Sequence, residues 1–250
     1  MNDEPGLLPT PSPEERALTA LVDERFAELA ARAPATPGWP DPWPDAAVPD
    51  DGAYERFTRP ERFEIVVRRV EAWIEALAAS GLAAYVVDAD PLAAWIQREE
   101  PRWLPSTPPP HTRVVRPRVP GATALVLAVH RWAAPTGSAV QVVVGAGEPA
   151  VPVEEPDCLC DACDTGSADL LAAYDRQVLD VVRGTFCWVG PPDVEIRVGQ
   201  TTQSSGVQGR ALRWPRRWTR RDTERAVAEA RAGRSAYPHL VADVPWWSRA

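Results

Sequence analysis

The chain has 250 residues, long enough for one large hydrophobic core with or without appendages, and its 45% apolar and 25% charged content is that of a soluble globular protein. A net charge of −8 opposes nonspecific binding to nucleic acid. No apolar run approaches the ~20 residues that a membrane-spanning helix needs.

The elements can be read in chain order. Ser12-Pro-Glu-Glu opens a helix: serine caps, proline suits the first helical position, and the glutamates match the positive end of the dipole. Leu18, Leu21, Val22, Phe26 and Leu29 fall on one face of it, and it should end before Pro34. Residues 34–52 carry six prolines and cannot form a regular helix, while Trp39 and Trp43 each bring a large surface to bury. This segment is expected as an extended strap lying on the body.

A second helix is predicted from Pro60 to Ser80, with Gly81 as its C-cap and an apolar stripe through Phe63, Val66, Val67, Val70, Trp73, Ile74 and Leu77. Ala83–Asp88 reads as a strand, Pro91–Glu99 as a short helix, and 101–110 as a proline-rich loop. Arg113–Val119, Thr123–Trp132 and Ala139–Gly145 are valine-rich and separated by short Pro/Gly turns. Strands joined so closely must be antiparallel, because a parallel return needs a long crossover. A further helix is expected from Thr165 or Ser167 to Arg183, strands at Phe186–Val189 and Val194–Val198, and a last helix at Thr219–Arg231.

Between the sheet and the third long helix lies Cys158-Leu-Cys160-Asp-Ala-Cys163-Asp, with three of the four cysteines inside six positions. Buried cysteines that serve only packing scatter along a chain, so the clustering points to a metal, a redox pair or a reactive loop. Cys160 and Cys163 have the Cys-x-x-Cys spacing of a zinc knuckle. Cys158 can supply a third thiolate only if the loop curls, because side chains two apart diverge on a straight strand. Cys187 is the expected fourth ligand, with His111 and His130 as alternatives. The neighbouring aspartates would neutralise the metal or ligate it in part. For a redox pair, the acidic residues 157, 161 and 164 should raise the thiol pKa values, which works against a reactive thiolate. The remaining reading is reduced thiols packed at a loop–helix junction.

The run from Cys158 through Gly166 and Ser167, followed by an Asp/Leu-bearing helix, resembles the signature of an uncharacterised actinobacterial family of unknown function. All 27 basic residues being arginine, with Asn2 the only asparagine, agrees with a high-GC bacterial genome. The resemblance implies that the segment characterises the family, and it brings no activity with it.

Other motifs carry less. Arg210–Arg221 mixes arginine with Trp214 and Trp218. This suits single-stranded nucleic acid, a solvated basic face, or docking on the chain's own acidic residues 148–169. Gly145-Ala-Gly147 lacks the third glycine of a dinucleotide loop and reads as a turn. Ser204, Ser205 and Ser167 lack a nucleophile motif, and Asp88/Asp90 and Asp41/Asp45 read as turn and cap carboxylates.

These observations predict an α+β fold: an antiparallel sheet packed by the 60–80 and 166–183 helices. The organisation expected is an N-terminal helix and Pro/Trp-rich strap (1–52), an α+β core (53–207), and an Arg/Trp-rich C-terminal region (208–250) that is an appendage and not an independent unit. The leading expectation for function is a cytoplasmic protein-binding or regulatory protein that meets its partner through an acidic surface. Nucleic acid and membrane are not expected as partners. The alternatives are an enzyme with its site around the Cys158–Cys163 loop, with or without zinc as its metal, and a nucleic-acid-associated accessory protein. The metal ligands expected are Cys158, Cys160, Cys163 and Cys187.

Overall fold

A computed structural model describes residues 10–32, 37–44, 47–95, 111–134, 137–154, 158–190, 194–199, 203–207 and 219–248. The fold is α+β. Its centre is an antiparallel five-stranded sheet in the order β1-β2-β3-β4-β5, formed by Ala83–Ala89, His111–Pro117, Leu125–Ala134, Gly137–Gly147 and Ala150–Pro152. The register places Leu125 against Ala146 and Ala134 against Gly137, one unbroken ladder along β3 and β4. The valines of the sequence therefore sort by parity. Val115, Leu125, Leu127, Val129, Val140, Val142 and Val144 enter the main core. Val114, Val126, Ala128 and Val143 lie on the opposite face under Trp95. Trp95 follows the short helix α3 (Pro91–Ala94) and crosses Gly145, where a Cβ would fall 2.5 Å from the indole ring. Gly145 thus serves close packing; the turn expected at Gly145–Gly147 is instead the end of strand β4, paired to β3 and β5, and the chain turns only after Gly147.

Three helices cover the core face. Helix α1 (Pro13–Arg32) begins as expected, with the Ser12 hydroxyl accepting from the Glu15 N–H at 3.1 Å. Helix α2 (Glu64–Ala79) follows a 3₁₀ turn at Pro60–Phe63 and ends before Gly81, which has φ of 74°. Helix α4 (Gly166–Val182) buries Leu170, Tyr174, Val178, Val181 and Val182. A charged clamp joins the three. Arg69 of α2, almost wholly buried, donates twice to Asp175 of α4 (2.8 and 2.7 Å) and once to Asp23 of α1 (2.8 Å), and Trp73 Nε1 donates to Asp175 at 2.6 Å.

A second antiparallel sheet has the order β8-β7-β6-β9, from Gln203–Val207, Val194–Val198, Cys187–Val189 and His239–Val241. Helix α5 (Arg220–Arg231), capped by a Thr219–Asp222 capping box, packs Ala226 and Ala230 against Cys187, Val189 and Ile196. Trp188, pointing the other way from β6, joins the main core together with Trp246.

Residues 203–207 and 239–241 belong to one sheet that spans the 207/208 boundary, so part of the C-terminal region pairs with the core. Helix α1 is likewise part of the core through Leu18 and Val22. The 101–110 loop and Arg213, Trp214, Arg216, Arg217 and Trp218 lie outside the described residues. Among the described residues no helix is long and apolar enough to cross a membrane.

Candidate metal centre

The cysteine loop lies between β5 and α4. Leu159 determines its shape. This residue has φ of 62°, in the left-handed region that residues with a Cβ rarely enter, and its side chain is 3% exposed in the main core. A left-handed residue between two cysteines reverses the divergence of an extended x-Cys-x-Cys segment. The Sγ atoms of Cys158 and Cys160 consequently meet at 3.1 Å. The chain then turns through a 3₁₀ segment, Asp161–Cys163, with the Cys163 N–H donating to the Cys160 carbonyl at 3.2 Å. That turn brings the third thiol round, and the ligand atoms of Cys158, Cys160 and Cys163 all lie within 4.8 Å of one another. The three-cysteine cluster could hold a metal ion. Cys158 and Cys163 are exposed and Cys160 is buried, so the cluster stands at the protein surface.

The free thiols differ electrostatically. Burial pushes the Cys158 thiol up to about 12, and its hydrogen bond to Cys160 adds to the rise. Burial acts in the same sense on Cys160. There the Cys158 thiol, the Cys163 N–H, the Cys163 thiol and the Ala162 N–H outweigh it and hold the thiol below its ordinary range. Backbone N–H groups aimed at sulfur favour the thiolate that a metal requires.

The aspartates of the motif face away from this chemistry and hold the loop in place. Asp161 accepts from the Thr58 N–H (2.8 Å) and hydroxyl (2.6 Å) and lies 3.5 Å from Arg56 Nε. Burial alone would raise its carboxyl, but Thr58, Arg62 and Arg56 keep it below the usual carboxylate range. Asp164, 6% exposed, accepts from Trp39 Nε1 (2.9 Å), the Gly166 N–H (2.9 Å) and Arg62 (2.8 Å). The strap does lie on the body, and it lies on this loop. Trp43 Nε1 donates to the Asp161 carbonyl at 2.8 Å, and the Trp39 N–H donates to Ser167 Oγ at 3.0 Å. Arg62 stacks over the Trp39 ring at 4.9 Å. Gly166, with φ of 82°, leaves room for the strap: a Cβ there would sit 2.6 Å from the Asp41 backbone nitrogen.

Cys187, the expected fourth ligand, does not join the group. It is wholly buried in β6, packed on Ala226 and Ala230 of α5, and burial raises its thiol pKa. The strand that carries it belongs to the second sheet. His111 is engaged with Asp88 at 3.0 Å, and His130 is buried and stacked on Trp132 with ring centroids 4.9 Å apart. Neither is in the thiol group. Arg62 and Thr58, which hold the loop, carry no sequence signal linking them to it, whereas the tryptophans of the strap did signal a surface to bury.

The acidic run between Arg131 and Arg176 is largely engaged within the chain. Glu148 pairs with Arg116, Glu154 accepts from Gln177 at 3.0 Å, and Asp175 serves the helix clamp. The arginines that meet it come from positions 56, 62, 69 and 116.

Searches of curated proteins and of solved structures found no match to the chain. A family model described as a family of unknown function, DUF6226, matches residues 22–250, which take in the strap, both sheets and the cysteine loop, and the chain belongs to that family.

Proposed function

We propose that the chain is a metal-binding protein that holds zinc through the thiolates of Cys158, Cys160 and Cys163. The observation that carries this reading is the convergence of three thiols within 4.8 Å on a loop only six residues long. Tetrahedral zinc with bonds of about 2.3 Å needs sulfurs roughly 3.8 Å apart. The Cys158–Cys160 contact of 3.1 Å has to open slightly to reach that spacing, and the third sulfur is already within 4.8 Å of both. Thiolate is a soft donor and suits zinc over magnesium or calcium. The carboxylates of Asp161 and Asp164 are held by Thr58, Trp39, Arg56 and Arg62, so they support the loop without competing for the ion.

Elemental analysis of the purified full chain tests this. About one zinc per chain is expected, with retention against a chelator weakened more than about tenfold by serine at 158, 160 or 163. Cys187→Ser should leave zinc content unchanged. A folded chain that takes up neither zinc nor cobalt, or a Cys187→Ser variant as defective as the other three, overturns the proposal.

A further inference from the structure

Three protein ligands leave a tetrahedral ion one position short. Among the described residues no further cysteine, histidine or carboxylate joins the group. The Asp161 side chain is committed to Thr58 and Arg56, that of Asp164 to Trp39 of the strap and to Arg62, and Cys187 is buried in β6 of the second sheet. Structural zinc sites are closed by four protein ligands, whereas sites that act on another molecule keep one position open. With Cys158 and Cys163 exposed, the cluster is accessible from solvent.

The chemistry of the three ligands says what belongs there. Three thiolates more than cancel the two positive charges of zinc, so the centre as a whole is anionic. Such an ion acidifies water far less than one held by neutral imidazoles, where the cationic charge survives. Hydrolysis is therefore the chemistry this donor set serves least. A sulfur-rich centre prefers a soft fourth ligand, and backbone N–H groups already directed at Cys158 and Cys160 sulfur offset the accumulated negative charge.

We infer that the fourth position takes a low-molecular-weight thiol from outside the chain, bound as its thiolate; the inference rests on the metal reading above. The binding step is balanced without an oxidant. The thiol loses its S–H proton to solvent, a metal–sulfur bond forms, and no sulfur changes oxidation state. A thiol held in this way keeps nucleophilic electron density at neutral pH, so the substrate class that fits is a small thiol presented for reaction with an electrophile.

Cobalt(II) substitution of the full chain gives a readout that does not depend on any activity. The loaded chain should show sulfur-to-cobalt charge transfer from three thiolates, and reduced glutathione or N-acetylcysteine should raise it saturably by about one third as a fourth Co–S bond forms. N-acetylserine, with oxygen in place of sulfur, should leave the spectrum unchanged at the same concentration. Failure of cobalt to bind overturns the metal reading and this inference together. Cobalt bound with three-thiolate intensity but indifferent to added thiol overturns this inference alone. A loaded chain that dimerises and shows four-thiolate intensity before any thiol is added also overturns it, because the fourth sulfur then belongs to a second copy.

Discussion

At the scale of single residues, Leu159 decides whether the cysteine run is a cluster or a line. Its left-handed conformation carries a steric penalty of about 1–2 kcal/mol for any residue with a Cβ, and the buried side chain supplies the compensation by filling the core beneath the loop. The two terms separate by mutation. Leu159→Ala keeps the Cβ and loses most of the buried surface, so it should destabilise by about 3 kcal/mol. Leu159→Gly loses the same surface but relieves the conformational penalty. Relief at a left-handed position exceeds the extra chain entropy of glycine, so the glycine variant should be more stable than the alanine variant by about 1 kcal/mol. That is the reverse of the order in a helix or strand. Urea unfolding of the two variants side by side checks it, and an alanine variant equal to or more stable than the glycine one would remove Leu159 as the cause of the turn.

At the scale of elements, the strap and the cysteine loop form one unit. Gly166, the first residue of α4, is where they pass closest, and the atoms that a new Cβ would meet are the backbone of Pro40 and Asp41, which cannot swing aside. Gly166→Ala should therefore lift the strap at a cost of about 2 kcal/mol, combining the clash with a strained φ. The Trp39–Asp164 and Trp43–Asp161 hydrogen bonds are lost with it. Limited proteolysis should then cut within 37–44 while the sheets remain intact, and a Gly166→Ala chain as resistant as the parent refutes the coupling. This contact was not legible in the sequence. Proline and tryptophan said that the strap is extended and must bury two rings, but nothing local says on what, because the partners are more than a hundred residues away. The long elements were legible because their periodicity repeats: α2 and α4 over several turns, and β2 to β4 over runs of valine. The short strands β5 and β9, three residues each, have too few positions to show alternation, so the first sheet lacked its last strand and the second, expected from β6 and β7, lacked its edge at β9. The cysteine cluster was half legible. Spacing identified the three thiols, but the curl depends on one backbone angle at Leu159, and assigning Cys187 to the cluster required knowing which sheet its strand enters.

At the scale of the molecule, the two sheets are held together by tryptophan. Trp188 points from β6 into the main core, and Trp246, 1% exposed, packs in the same cluster. Trp246 is fixed at both ends of its residue: its N–H donates to the Val182 carbonyl at the end of α4 (2.9 Å), and its indole Nε1 donates to the Thr123 carbonyl before β3 (3.0 Å). The second sheet's last segment is thus tied to the first sheet through one side chain. The two sheets should unfold together, in a single transition seen equally by far-UV and near-UV circular dichroism. Trp246→Ala removes the ring and leaves the Thr123 carbonyl without this donor, so it should cost about 4 kcal/mol, near the middle of the range for buried aromatic truncation. Trp246→Phe retains most of the packing and loses the indole N–H, so its smaller cost should be about 1–2 kcal/mol. Because the strap, the cysteine loop and α4 all rest on the same core, an alanine variant loaded with the proposed metal should release it at a lower temperature than the loaded parent, in step with unfolding and not before it. A Trp246→Ala chain that melts in two steps, with β6 to β9 lost first and the five-stranded sheet unaffected, would show instead that the second sheet is a separable unit and that Trp246 merely covers the first.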